Sequence, residues 1–177
     1  MVPTITTDRL ILRGIESSDS QGIFDLDSDP EVHKYLGQRP ITTMTEAEET
    51  VRYIQGQYKN HGFGRWAIID KATNEFVGWG GLKYETGVRS DGPYNDVGYR
   101  LKRKFWGKGI ASEVAMMAMD YGFNTLKLDA IYAGAHIDNI GSNKILLKIG
   151  LKYIETFEYD NLPHYWYGIQ RDEWINS

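Results

Sequence analysis

The residues best suited to chemistry lie in Leu101-Lys102-Arg103-Lys104-Phe105-Trp106-Gly107-Lys108-Gly109-Ile110-Ala111-Ser112. The first part is basic, the middle is glycine-rich, and the apolar spacing beyond predicts a helix from about Lys108. A helix start leaves about four backbone N–H groups without an intrahelical partner. The helix dipole adds roughly half a positive charge there. Glycines let a ligand approach these donors with no Cβ in the way. Together they make an anion cradle, suited to a phosphate or pyrophosphate. Gly107-x-Gly109-x-x-Ser112 also matches part of a dinucleotide fingerprint. That motif wants a buried apolar strand before it and an acid closing the next strand. Here Arg100 interrupts the first strand and Asp129 opens the second, so the match is set aside. A second polar helix entry, Asp138-Asn139-Ile140-Gly141-Ser142-Asn143, precedes a short helix at 144–149, with Asn139 and Ser142 as capping candidates. His33, His61, His136 and His164 are scattered without metal-ligand spacing, and no metal site is expected.

These groups need a frame. Residues 9–15 predict a first strand. Ser17-Ser18-Asp19 offers caps for a helix over 20–26, and Asp29-Pro30 opens another short helix carrying Val32, Tyr35 and Leu36. Thr43 to Thr45 cap a longer helix, on which Val51, Ile54 and Tyr58 share a face and which Asn60-His61-Gly62 ends. Residues 65–70 and 76–84 read as a hairpin, and 94–101 as the third strand of that set. A helix with Val114, Met117, Ala118 and Tyr121 follows the cradle, then a strand at 129–135, which implies a parallel crossover. Residues 151–159 and 164–169 close the sheet around a turn at 160–163. No repeat or linker interrupts the chain, so residues 1–177 are expected to form one domain.

The chain has 177 residues, enough to bury a sizeable core. Its net charge of −4 gives no general attraction to nucleic acid or to an anionic membrane, and neither is expected as a partner. The basic run is therefore local and favours a small anionic ligand. With no cysteine, disulfides, thiolate metal sites and a cysteine nucleophile are excluded, and a cytoplasmic location is expected. The first residues lack a signal-peptide pattern. No apolar run approaches the ~20 residues needed to span a bilayer.

Tyr99-Arg100-Leu101…Trp106-Gly107-Lys108-Gly109-Ile110-Ala111, then Asn139-x-x-Ser142…Ile149-Gly150-Leu151, resembles the GNAT superfamily of acyl-CoA-dependent N-acetyltransferases. Thr7-Asp8-Arg9-Leu10-Ile11-Leu12-Arg13 and Asp172-Glu173-Trp174 are similar to the branch that includes the bacterial ribosomal-protein N-terminal acetyltransferases. The resemblance implies an α+β (mixed α/β) fold. Its central sheet would be mixed and largely antiparallel, with six to seven strands and about four flanking helices. The sheet would be splayed between the strands before and after the acetyl-CoA-binding helix. It also implies acetyl-CoA as co-substrate, an amine acceptor, no metal, and a possible homodimer.

By that resemblance, Tyr99 and Leu101 offer backbone to the pantetheine arm, and Gly107, Lys108, Gly109, Ile110, Ala111 and Ser112 hold the pyrophosphate. Trp106 stands where the family motif has Gln or Arg. Lys102, Arg103, Lys104 or Lys108 meets the remaining phosphate charge. Asn139, Ser142 and Asn143 reach the pantetheine and thioester region. Many members carry a tyrosine acid four residues after Ser142; here that residue is Leu146, which makes Ser142 the candidate proton donor. Proton transfer is needed at the amine too, because an amine is mostly protonated at neutral pH. Asp96 is the first candidate base, followed by Glu85 and His136. A strand N–H freed by a bulge near Gly98 would stabilise the thioester oxygen. The expected function is acetyl transfer from acetyl-CoA to a primary amine by direct attack in a ternary complex. The alternative is a non-catalytic module that binds CoA or a nucleotide.

Overall fold

The computed structural model describes residues 2–176. Among them, strands form at Ile5–Thr6 (β1), Leu10–Gly14 (β2), Arg65–Asp70 (β3), Phe76–Glu85 (β4), Tyr94–Leu101 (β5), Ala130–His136 (β6), Lys152–Tyr159 (β7) and Leu162–Gln170 (β8). Helices form at Ser20–Asp27 (α1), Met44–His61 (α2), Ile110–Asp120 (α3), Ile140–Lys148 (α4) and Arg171–Ile175 (α5). The strands make one eight-stranded sheet in the order β1-β2-β3-β4-β5-β6-β8-β7. Every neighbouring pair is antiparallel except β5 and β6. The expected mixed sheet is present, with the two-residue β1 as an added edge. No helix among the described residues is long and apolar enough to cross a membrane.

Strand alternation divides the apolar residues between two faces. Trp66 and Ile68 of β3 join Leu82, Val97, Leu101, Val114 and Ile131 in the larger core, under α3 and α4. Ala67 and Ile69 face the other way and pack with Ile15, Ile23, Ala47, Val51 and Ile54, under α1 and α2. Ala47, Val51 and Ile54 recur at helical spacing on α2. Its ends are those the sequence predicts: a capping box between Thr43 and Glu46, and Gly62 at φ 79°.

Three local expectations change. Residues 30–38 are a series of turns, not a helix; bonds such as Val32 N to Asp29 O and His33 N to Pro30 O span only three residues. The positive φ values of Gly37 and Gln38 then turn the chain away. The Asp19 carboxylate does not cap α1; it accepts two 2.8 Å bonds from Arg13 and another from Glu16 N–H. The β7–β8 turn is only Asp160-Asn161, both at positive φ, and Pro163 lies within β8 opposite Glu158.

One feature of the sheet positions the site. β5 and β6 share a single registered pair, Asp96 with Tyr132. Beyond it β5 keeps full register with β4 as far as Leu101 opposite Gly78, while β6 keeps full register with β8. Each strand follows its antiparallel partner, and the sheet forks.

Candidate active site

A cleft of about 720 Å³ occupies the fork. One bank is the entry to α3. Gly107 and Gly109 take φ of 70° and 75°, the left-handed region that glycine enters at little cost. Gly109 is the N-cap, no side chain caps the helix, and the first intrahelical bond comes from Glu113 N–H. The N–H groups of Ile110, Ala111 and Ser112 are left free of the helix, and all three residues line the cleft with Trp106, Gly107 and Gly109. Arg9 fixes the loop behind them, bonding Glu113 at 2.7 Å and the Lys108 carbonyl at 2.8 Å. Trp106 returns its indole N–H to the Leu101 carbonyl at 2.8 Å. These uncapped donors, with no Cβ at either glycine, fit the diphosphate of a CoA molecule.

The neighbouring cations are not equivalent. Lys102 pairs with Asp25 at 3.1 Å, Arg103 with Asp29 at 3.4 Å, and Lys104 with Glu75. Lys108 is in no ion pair among the described residues. Neither Lys104 nor Lys108 lines the cleft itself.

Tyr99 and Leu101 project from the α3 face of β5 and line the same bank, beside Leu146 and Ile145 of α4. Asn139 caps α4, its Oδ1 accepting the Ser142 N–H at 3.2 Å. Ser142 is thus in the first turn of a helix that starts at Ile140, earlier than position 144. Its Oγ lies 3.1 Å from the Tyr99 hydroxyl. Leu146 is 2% exposed and packs in the larger core. Asn143 is buried away from the cleft: its amide donates to the His136 and Ile137 carbonyls, and its oxygen accepts from Tyr167 at 3.0 Å. Those bonds tie α4 to the end of β6.

The opposite bank lies on the α1–α2 face. Arg65 donates to Asp96 and to the Gly81 carbonyl, and its guanidinium crosses Gly98, where a Cβ would sit 2.7 Å from Nη2. A side chain at 98 would displace the guanidinium from its place between Asp96 and the Gly81 carbonyl. Burial pushes the Asp96 carboxyl up, against the opposing pull of Arg65 and Lys83. Arg65 and Arg100 both lie against Trp79, at 5.5 and 4.8 Å from its ring. Arg100 also holds Asp27 at 2.8 Å. Burial pushes the Asp27 carboxyl up, but His33 and Arg100 more than offset it, and it stays below its ordinary value.

His136 and His164 face each other across the β6–β8 register at 5.5 Å, with Tyr35 against His136 at 5.6 Å. His164 Nδ1 is 2.8 Å from the Leu162 carbonyl, an acceptor only. Nδ1 therefore carries the hydrogen, and Nε2 is left as a proton acceptor. Burial lowers the His164 pKa, which favours that neutral form.

The fork thus brings together Asp96, Tyr99, Leu101, Trp106, Gly107, Gly109, Ile110, Ala111, Ser112, Asn139 and Ser142. It leaves Lys104, Lys108, Asn143 and Glu85 outside; the Glu85 carboxylate pairs with Lys83 and caps Thr86 and Gly87. The expected bulge at Gly98 is absent, since the β4–β5 register is unbroken there. The free edge of β5 comes from the fork instead. Sequence reasoning missed Arg65, Trp79, Arg100, Tyr35 and His164 as members of the cleft. A signal existed for two of them: Arg65 heads the apolar run of β3 and Arg100 sits between Tyr99 and Leu101 in β5, and charges beside apolar strand residues need partners.

Comparison with known proteins agrees with this geometry. A model of the acetyltransferase (GNAT) domain matches residues 9–152. The chain is 35% identical over 143 residues to the uncharacterized N-acetyltransferase p20 of Bacillus licheniformis, covering 81% of this chain and 79% of that one. It superposes on the crystal structure of a GNAT-family acetyltransferase from Bacillus anthracis with a TM-score of 0.77 at 25% identity, covering 96% and 99% of the two chains. It has the fold of spermidine N-acetyltransferase from Vibrio cholerae, solved with CoA and spermine, at TM-score 0.78 and 19% identity over 96% and 100% of the chains. A forked sheet, an uncapped helix entry and a domain-length match have one common explanation: the chain belongs to the GNAT family of acetyl-CoA-dependent acetyltransferases.

Proposed function

We propose that the chain moves an acetyl group from acetyl-CoA to a primary amine, of a small molecule or a protein N-terminus, by direct attack in a ternary complex. The observation that carries this reading is the fork. It makes one cleft out of both faces of the sheet, with Tyr99 and Leu101 on the α3 side and Asp96, Gly98 and Arg100 on the other. A donor held on the first side meets an acceptor held on the second.

Acetyl-CoA supplies an activated acyl group as its thioester. Ile110, Ala111 and Ser112 hold the diphosphate through backbone N–H groups, and the unpaired edge of β5 takes the pantetheine. Ser142 gives a proton to the departing sulfur. The amine gives its proton to the opposite bank. His164 is better placed for this than Asp96. Its Nε2 is the free acceptor of a fixed tautomer, whereas Asp96 is committed to Arg65.

Calorimetric titration with acetyl-CoA, followed by thiol-release assays over amines and N-terminal peptides, tests the reading. Binding with turnover on at least one primary amine is expected. Binding without turnover on any would leave a CoA-binding module, and no binding would remove the cradle assignment.

A further inference from the structure

We infer that the Tyr99 phenol, and not a tyrosine of α4, resupplies the proton that Ser142 gives to the leaving sulfur; this rests on the acetyl-transfer reading above. The two hydroxyls come from different elements on the α3 side of the cleft. Tyr99 belongs to the segment of β5 beyond Asp96, where pairing with β6 has ended. Ser142 belongs to the first turn of α4, held there by its N–H bond to Asn139. Their oxygens are 3.1 Å apart, and both residues line the cleft.

A serine hydroxyl has a single hydrogen. If it points to the sulfur, the bond with Tyr99 must run from the phenol to Ser142 Oγ. That direction makes a short relay. The amine nitrogen bonds the acyl carbon and the carbon–sulfur bond breaks, its electron pair staying on sulfur. Sulfur takes the Ser142 proton, Ser142 takes the Tyr99 proton, and the phenolate recovers one from water in the cleft. The proton lost by the amine balances that last transfer.

Position 146 of α4 holds a buried leucine, so the helix offers no phenol of its own at that place. Burial pushes the Tyr99 phenol up, which keeps the proton on it until a stronger base appears beside it. The competing role is visible too: the phenol is 3.3 Å from the Ser142 carbonyl, and a bond there would make Tyr99 only an anchor for α4.

Tyr99→Phe removes the oxygen and keeps the ring. With acetyl-CoA, kcat is expected to fall about a hundredfold, the low end for a lost proton donor, with acetyl-CoA affinity by calorimetry unchanged. With an acetyl aryl thioester, whose thiolate leaves without needing a proton, wild type and variant should match in kcat/KM. A second readout needs no turnover. The thiolate absorbance of bound CoA, followed against pH, should show a higher thiol pKa in Tyr99→Phe and in Ser142→Ala than in wild type, because a donor to sulfur favours the anion. An equal loss with both acyl donors, or an unshifted thiol titration, would make Tyr99 an anchor only. If the wild type releases no thiol with any amine, the acetyl-transfer reading fails, while the thiol titration still decides the contact of this pair with sulfur.

Discussion

The two banks of the cleft are built by opposite means. On the α3 bank the diphosphate end is one contiguous stretch, 107–112, whose donors are backbone N–H groups, placed by two glycines at positive φ. The facing bank takes Arg65, Trp79, Asp96, Arg100, His136 and His164 from β3, β4, β5, β6 and β8, and works through their side chains. Backbone donors survive most substitutions. Buried charges depend on every partner, since an unpaired one keeps its full desolvation cost. The diphosphate stretch at 107–112 should therefore tolerate change in its side chains and fail on added charge. The facing bank should fail whenever one member is deleted.

The largest effect is expected at Arg65. Arg65→Met takes from Asp96 its buried partner charge, and breaking such a pair costs about 3–5 kcal/mol. Urea unfolding measures it. The double change Arg65→Met with Asp96→Leu should recover most of the loss, because no lone charge is left. A single-variant loss below about 1 kcal/mol would put this pair in the range of surface ion pairs and remove the contrast between the banks.

Next in size is His164. His164→Asn should lower kcat/KM about a hundredfold, the low end for a lost general base. Its pH dependence carries the sign. A base must be neutral to accept a proton, and burial lowers this imidazole from its ordinary 6.5. The base form therefore persists below pH 6.5. With rates expressed per free amine, the acid limb should lie below that value and vanish in His164→Asn. A limb that survives there and disappears in Asp96→Asn would move the role to Asp96.

The same contrast explains what was legible in the sequence. The α3 bank depends on neighbours along the chain, so glycines, basic residues and a helix start announce it within a dozen positions. The capping box at Thr43 and Glu46 and the stop at Gly62 are local in the same way. The facing bank depends on register. Nothing near Arg65 in the chain points to Asp96, and His136 meets His164 only because β6 pairs with β8 rather than β7. Where local cues misled, tertiary contacts had claimed the residue: Asp19 serves Arg13 instead of its helix, and Asn143 braces β6 instead of facing the cleft.

A smaller effect separates folding from binding in the α3 bank. Ser112→Glu puts a carboxylate in the first turn of α3, where the dipole favours it by about 0.3–1 kcal/mol. Stability should hold or rise slightly, while acetyl-CoA affinity falls about tenfold or more, as a like charge meets the diphosphate. Gly109 is a poorer place for this test, because its φ of 75° strains any side chain. A thermal melt and a calorimetric titration on one preparation give both numbers. Affinity unchanged in Ser112→Glu would mean that the diphosphate is held elsewhere.

The smallest effect ranks the cations of the α3 bank. Lys104 is already answered by Glu75, so removing it also frees a carboxylate near the mouth, and little net positive potential is lost. Lys108 is in no ion pair among the described residues, and its ammonium nitrogen lies over the face of Phe105, 5.4 Å from the ring centre, a weak and exchangeable contact. Its charge is the one still available to a phosphate. Lys108→Ala should weaken acetyl-CoA binding about two- to fivefold at low salt, the range of an exposed charge pair. Lys104→Ala should change it less. The difference should shrink as salt is added, because the Debye length falls from about 10 Å at 0.1 M to about 3 Å at 1 M. Equal losses in the two variants at low salt would mean that Lys104 leaves Glu75 for the ligand, and that the ion pairs of this bank are exchangeable while those facing it are fixed.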